Sequence, residues 1–173
     1  RAFNGVSDRI EVPASPALSP ASFTFRAWVK LLALPAADGW GVVAANYGGN
    51  YQGWYVGVTA AGRVIFSVAG LPSSAPWLVS GAALGLHRWC HLTTTYDGTT
   101  REGAIFVNGA LDVQAAFAGF TPQSAKPFTL GRASWFNGYY LNAVLDEVRL
   151  APARLTTADV AADYQGFAPP PAP

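Results

Sequence analysis

The sequence predicts an all-β fold, a sandwich or jelly roll of antiparallel strands, on three observations. Short apolar runs alternate with Gly, Pro, Asn and Asp, several of those runs repeat with a period of two, and only one stretch carries a helix signature. With 173 residues, 51% of them hydrophobic and 13% aromatic, the chain suits one domain with a sizeable core.

Taken in order, "SFTFRAWVKLLAL" places Phe23, Phe25, Ala27 and Val29 on one face of a strand. "GWYVGV" and "RVIFSV", split by "TAAG", read as a hairpin in which Trp54, Val56 and Val58 share a face, as do Val64, Phe66 and Val68. "RWCHLTTTYDG" is rich in Thr and aromatics, which favour strands. "AIFVNGALDVQ" contains Asn108-Gly109, a strong hairpin signal because both residues tolerate positive φ. "PFTLGR" and "AVLDEVRL" are two further strands. The helix candidate is "LTTADVAADY", where Thr156 or Thr157 caps the first turn. The ending "GFAPPPAP" cannot join a sheet and reads as the start of a linker, which leads to the expectation of a domain over 1–167, a linker from 168–173 and neighbouring domains in a parent protein.

Charged residues make up only 12% and the net charge is +1, which offers no electrostatic footprint for nucleic acid or an anionic membrane. No apolar run approaches the ~18 residues of a membrane-spanning helix, so membrane insertion is not expected. Met is absent, even at position 1, so the chain is expected to be an excised or processed piece. The single cysteine, Cys90, excludes an internal disulfide framework.

These stretches, in this order, resemble the concanavalin A-like lectin/glucanase superfamily, most closely its laminin-G-like (pentraxin-like) jelly-roll branch. The residues that carry the likeness are "FNGVSDRIEVP" (Phe3 to Pro13), "FTFRAWVKL", "GWYVGVTAAGRVIFSV", "HRWCHLTTTYDGTT", "IFVNGALD", "FTLGR" and "LDEVRLAPARLTTADV". The resemblance covers nearly the whole chain. It implies a two-sheet antiparallel jelly-roll sandwich with one short C-terminal helix at most, and core positions for Trp28, Trp54 and Trp89. It also implies that "ASWFNGYY" is a longer connection inserted between "TLGR" and "LNAVLDEVRL". The family spans glycan-binding modules, adhesion domains and, in distant branches, glycosidases and lyases, so fold alone does not give function.

Aromatics in turns point to glycan recognition, because a pyranose has an apolar C–H face that Trp or Tyr covers and a hydroxyl rim that amides reach. "ASWFNGYY" puts four large rings into eight residues; Trp135 is the expected main platform, with Tyr139, Tyr140 and Asn137 beside it and Phe136 lacking a polar handle. A second group in "DGWGVVAANYGGNYQGWY" comprises Trp40, Tyr47, Asn50, Tyr51 and Gln52, with "NYGGNYQG" reading as a shaped polar loop, and Trp77 is a third candidate. The competing reading is that these rings seal loops onto the ends of the sandwich.

Catalysis is not expected. Glycosidases need two carboxylates flanking the scissile bond, and the ten acidic residues form no alternating set on one strand. Asp146 and Glu147 are adjacent and point to opposite faces, while Cys90 and His91 lie in a strand expected to be buried. For a metal, Asp146 is expected on the apolar face of its strand with Val144, Val148 and Leu150, where one structural Ca²⁺ shared with the region of Asn4 would compete with ordinary hydrogen bonding. The expected function is non-catalytic carbohydrate binding by a module of an extracellular or cell-surface protein. The alternative is a protein-adhesion or architectural module.

Overall fold

The computed structural model of the chain describes residues 1–37, 39–48, 52–69, 77–117, 125–134, 138–167 and 169–170. Among them, twelve strands form two six-stranded sheets. The first sheet runs, edge to edge, β1 (Ala2–Asn4), β12 (Asn142–Ala151), β3 (Phe23–Leu31), β8 (Trp89–Asp97), β9 (Glu102–Val107) and β10 (Ala110–Ala116). The second runs β2 (Ile10–Val12), β11 (Phe128–Leu130), β4 (Trp40–Tyr47), β5 (Gly53–Thr59), β6 (Arg63–Ala69) and β7 (Trp77–Ala83). All these strand pairings are antiparallel. One helix, α1 (Thr157–Gly166), follows β12.

Period-two alternation sorts the residues as the sequence predicts. Phe23, Phe25, Ala27 and Val29 of β3 meet Trp54, Val56, Val58, Val64, Phe66 and Val68 of the opposite sheet in one core. Ring packing fixes its centre, where Phe23 stacks on Trp54 at 4.8 Å and meets Phe66 edge-on at 6.1 Å. The β9–β10 turn has positive φ at both Asn108 (51°) and Gly109 (78°), as a primed hairpin turn requires. Thr156 caps α1 through a capping box with Asp159.

Four strands, β1, β2, β4 and β7, are not among those read from the sequence; β1 and β2 are only three residues each. β4 meets the expected polar loop only at Asn46 and Tyr47; its Gly, Ala and Asn content is strand-poor and a bulge breaks its alternation: Val43 and Ala44 both face the core, while Val42 and Ala45 both face outward. β7, from Trp77, has Leu78 and Ser80 as its only buried residues.

The tryptophans divide differently from the expectation. Trp54 is buried between the sheets, but Trp28 is buried on the outer face of β3 beneath α1. Trp89 pairs across the ladder with Lys30 on that same outer face, half-buried, with the Lys30 ammonium 5.8 Å from its ring. It is therefore not a core residue. Trp89→Ala is expected to lower stability by about 1–2 kcal/mol in urea denaturation, the scale of a partly buried side chain and short of a full core deletion.

Candidate functional site

The sandwich has two outer faces. On the first sheet, α1 fills that face: Val160 packs on Ala104 and Phe106, Tyr164 lies against Trp28 and His91, and Asp163 pairs with Arg26. His91 is thereby buried, and burial pushes its imidazole pKa down, towards the neutral form, even though Asp163 opposes the shift. Cys90 is buried on the core side of the same strand, and burial pushes its thiol up, away from the reactive thiolate. Both are buried, as the strand reading expects.

The outer face of the second sheet carries aromatics instead. Trp40 and Tyr47 come from β4, Tyr55 from β5 and Trp77 from β7, because outward positions on neighbouring strands fall side by side. The Trp40 ring lies near-parallel to Tyr139 (4.8 Å, 25°) and to Tyr55 (6.0 Å, 19°), and Trp77 meets it edge-on at 5.1 Å. The cluster has a buried floor and an accessible rim. Tyr47 and Tyr55 are buried with Val42, Ala45, Ile65 and Ala133, whereas Trp40 and Tyr139 are half-buried and Trp77 is 49% exposed. Burial pushes the Tyr55 hydroxyl pKa well above the ordinary tyrosine value despite a hydrogen bond with Ser67, so the group stays neutral.

Backbone geometry fixes Tyr139. Its φ is +57°, a left-handed conformation that costs a bulky residue about 1–3 kcal/mol. The neighbouring hydrogen bonds hold it there. The Val42 N–H donates to the Tyr139 carbonyl at 2.9 Å, Leu141 N–H to the Gly131 carbonyl at 2.9 Å, and Gly5 N–H to the Leu141 carbonyl at 3.0 Å. The segment thus stitches β4 to β1 at one edge of the sandwich. Gly131 itself has φ +80°, and a Cβ there would overlap the Phe3 ring. Tyr140 is placed by Arg132, whose guanidinium lies 5.7 Å from its ring centre and 3.4 Å from its hydroxyl.

Beside this stitch lies a depression of about 370 Å³, within the range of small-molecule sites. Its lining includes Trp40, Tyr139, Tyr140, Leu34, Asn4 and Asn142. Among the described residues that line it, none carries a charge; Asp38, next to them in sequence, lies outside the described residues.

Several expected site residues are therefore brought together: Trp40, assigned by sequence to one group, stacks on Tyr139 of another, and Tyr140 shares their depression. Tyr47 departs from the expectation of a ligand contact. It is buried, edge-on to Tyr55 at 5.6 Å, and acts as floor packing. Gln52 is exposed and is not among the lining residues. Trp135, Phe136, Asn137, Asn50 and Tyr51 lie outside the described residues. Asn142, Leu34 and Val6 were missed, because each is unremarkable in sequence and gains meaning only from the β1–β12 pairing that sets Asn4 opposite Asn142.

Asp146 does not face the core. A bulge between Asp146 and Arg149, with Glu147 at φ +47°, turns Val148 and Leu150 back towards the core and leaves Asp146 exposed, accepting the Glu147 N–H at 2.9 Å. Nor does the ladder bring it to Asn4, which pairs with Asn142, four positions along β12 or roughly 13 Å away. Among the described residues, no three His, Cys, Asp or Glu side chains converge as metal ligands.

Among the described residues, no helix is long and apolar enough to cross a membrane. By sequence, no curated protein matches the chain. Solved structures do match by fold. Domain 4 of AbnA, an extracellular arabinanase of Geobacillus stearothermophilus in complex with arabinotriose, superposes with a TM-score of 0.69 at 18% identity, covering 93% of this chain and 74% of that one. The CBM40 of the Ruminococcus gnavus IT-sialidase, bound to α2,3 sialyllactose, gives 0.69 at 14% identity, covering 91% and 97%. The heptameric SAP-like pentraxin of Limulus polyphemus gives 0.68 at 16% identity, covering 92% and 78%. In others, such as a putative carbohydrate binding protein of Bacteroides ovatus and the botulinum neurotoxin G binding domain, the chain spans less than half of the matched chain. At these identities the likeness establishes the fold. The family model described as the concanavalin A-like lectin/glucanases superfamily matches residues 4–161, and with its two antiparallel sheets the chain belongs to that superfamily.

Proposed function

We propose that the chain is a non-catalytic carbohydrate-binding module that holds a sugar in the depression beside Trp40, Tyr139 and Tyr140. One observation carries this reading. Two near-parallel rings, one of them on strained backbone, wall a depression of sugar-accommodating size where the start of β12 and the segment after β3 meet the start of β4, away from the face that α1 covers. Strain of that kind persists when its surroundings over-determine it, and it concentrates at ligand sites. The matched structures that hold arabinotriose and sialyllactose support a sugar as the ligand class. The extracellular arabinanase among them supports an extracellular or cell-surface setting.

The site is proposed to work without acid–base chemistry. Glycoside cleavage needs a pair of carboxylates about the scissile bond, and no described residue lining the depression is acidic. Partial coverage of a sugar by two or three rings, less the cost of association, gives an expected Kd of about 10 μM to 1 mM. The test is a glycan array probed with the wild-type domain and with Tyr140→Ala. Binding to a defined glycan set that the variant loses supports the reading, and a blank array at millimolar-sensitive detection contradicts it.

Calcium has no part in this proposal. Asp146 is outward-facing, and Asn4 Oδ1 already accepts the N–H groups of Val6, Ser7 and Asp8. A ligand bound only by the folded state raises its melting temperature, so EDTA is expected to leave Tm and glycan binding unchanged. A Tm drop restored by added Ca²⁺ would contradict this.

A further inference from the structure

The depression has a chemical bias beyond being aromatic. Its amide groups are not equivalent. Asn4 is engaged within its own turn, with Oδ1 taking three backbone N–H groups and Nδ2 donating to Ser7 Oγ at 3.0 Å. Asn142 uses its backbone carbonyl to accept the Leu32 N–H at 3.0 Å, while its half-buried side-chain carboxamide makes no hydrogen bond among the described residues. Among the described lining residues it is the one side-chain carboxamide with donor and acceptor both available. Beside it the lip is apolar: Leu34 is 42% exposed and Val6 is 73% exposed, and both line the depression.

That combination discriminates among sugars. A carboxamide offers both a donor and an acceptor, and a secondary acetamide, whose N–H and C=O point in opposite directions across its trans amide, meets it with one hydrogen bond from either group. The acetamide methyl then requires an apolar neighbour, which a plain hydroxyl does not. An ammonium or carboxylate substituent would be desolvated without a countercharge from the described lining. We propose that the pocket selects a neutral sugar carrying an acetamido group, with its amide on Asn142, its methyl against Leu34 and Val6, and its ring against the Trp40–Tyr139 wall. This rests on the carbohydrate reading above.

The test is calorimetric titration of the intact domain with methyl glycosides of N-acetylglucosamine, N-acetylgalactosamine, glucose, galactose and glucosamine. The expected result is that one acetamido sugar binds at least tenfold tighter than its hydroxyl parent and than the amine. In Asn142→Ala, and in Leu34→Ser, that ratio is expected to fall towards one, with far-UV circular dichroism and Tm confirming a folded domain. Asn142→Ala keeps the Cβ that packs on Gly5, so it is the cleaner of the two. Equal binding of acetamido and parent sugars overturns the inference and leaves the carbohydrate reading standing. So does a preference that survives in Asn142→Ala. Failure of every one of these sugars, when the array finds another glycan, also overturns the inference alone; failure of both experiments overturns the two together.

Discussion

Trp54→Ala is expected to lower folding stability by about 3–5 kcal/mol, the range of large aromatic deletions from a packed core. The residue is fully buried, and its ring contacts Phe23 at 4.8 Å, Phe25 at 5.8 Å and Phe128 at 5.9 Å, so it joins strands of both sheets. Its ring neighbours are themselves large and held in the packed core, so the vacated volume is not readily refilled. Net stabilities of about 5–15 kcal/mol are usual, so this one change would consume much of the margin. Urea denaturation followed by far-UV circular dichroism measures it. The comparison with Trp89→Ala is informative: if both substitutions cost the same, the division of tryptophans between core and outer face is wrong.

Trp40→Ala is expected to weaken glycan binding by about 1–3 kcal/mol, roughly five- to 150-fold in Kd, the value of one apolar side chain's contact surface. Trp40 is at once wall and support, because Tyr139 and Tyr55 lie near-parallel to it and Trp77 meets its edge. Some loss of stability is therefore expected with the loss of affinity. Tyr140→Ala separates the two effects. Its ring is half-buried, lines the depression and packs against Arg132, so truncation should reduce affinity with a smaller change in Tm. Isothermal titration well below each variant's Tm reads both. Wild-type affinity in Trp40→Ala and Tyr140→Ala together would place the sugar elsewhere.

The fold was legible wherever local pattern and tertiary packing agree. β3, β5 and β6 alternate cleanly, and every inward residue they predict is buried in the common core. The Asn108-Gly109 turn and the Thr156 cap are short-range devices that sequence states directly. Bulges are what sequence hides. The extra residue at Val43 kept β4 from reading as a strand, and the one after Asp146 reversed the facing of every residue beyond it, which is why the aspartate expected inside lies outside. The site was legible as a set of unexplained rings but not as a constellation. Trp40 and Tyr139 are far apart in the chain and meet only because the 139–142 segment hydrogen-bonds to Val42 and to Gly5. Asn142 carried no signal at all, since a lone Asn at the start of a strand is ordinary until the residues around it are known.

The central claim is that sugar binds against Trp40 in the depression it shares with Tyr139, Tyr140 and Asn142. The most direct measurement is an ¹H–¹⁵N correlation spectrum of the indole N–H groups during titration with the tightest glycan from the array. Trp40 should shift with the ligand, and Trp77, edge-on to it, should follow; Trp54 in the core and Trp28 beneath α1 should stay in place. Shifts confined to Trp28 or Trp89, or saturation of binding with the Trp40 signal unmoved, would contradict the account.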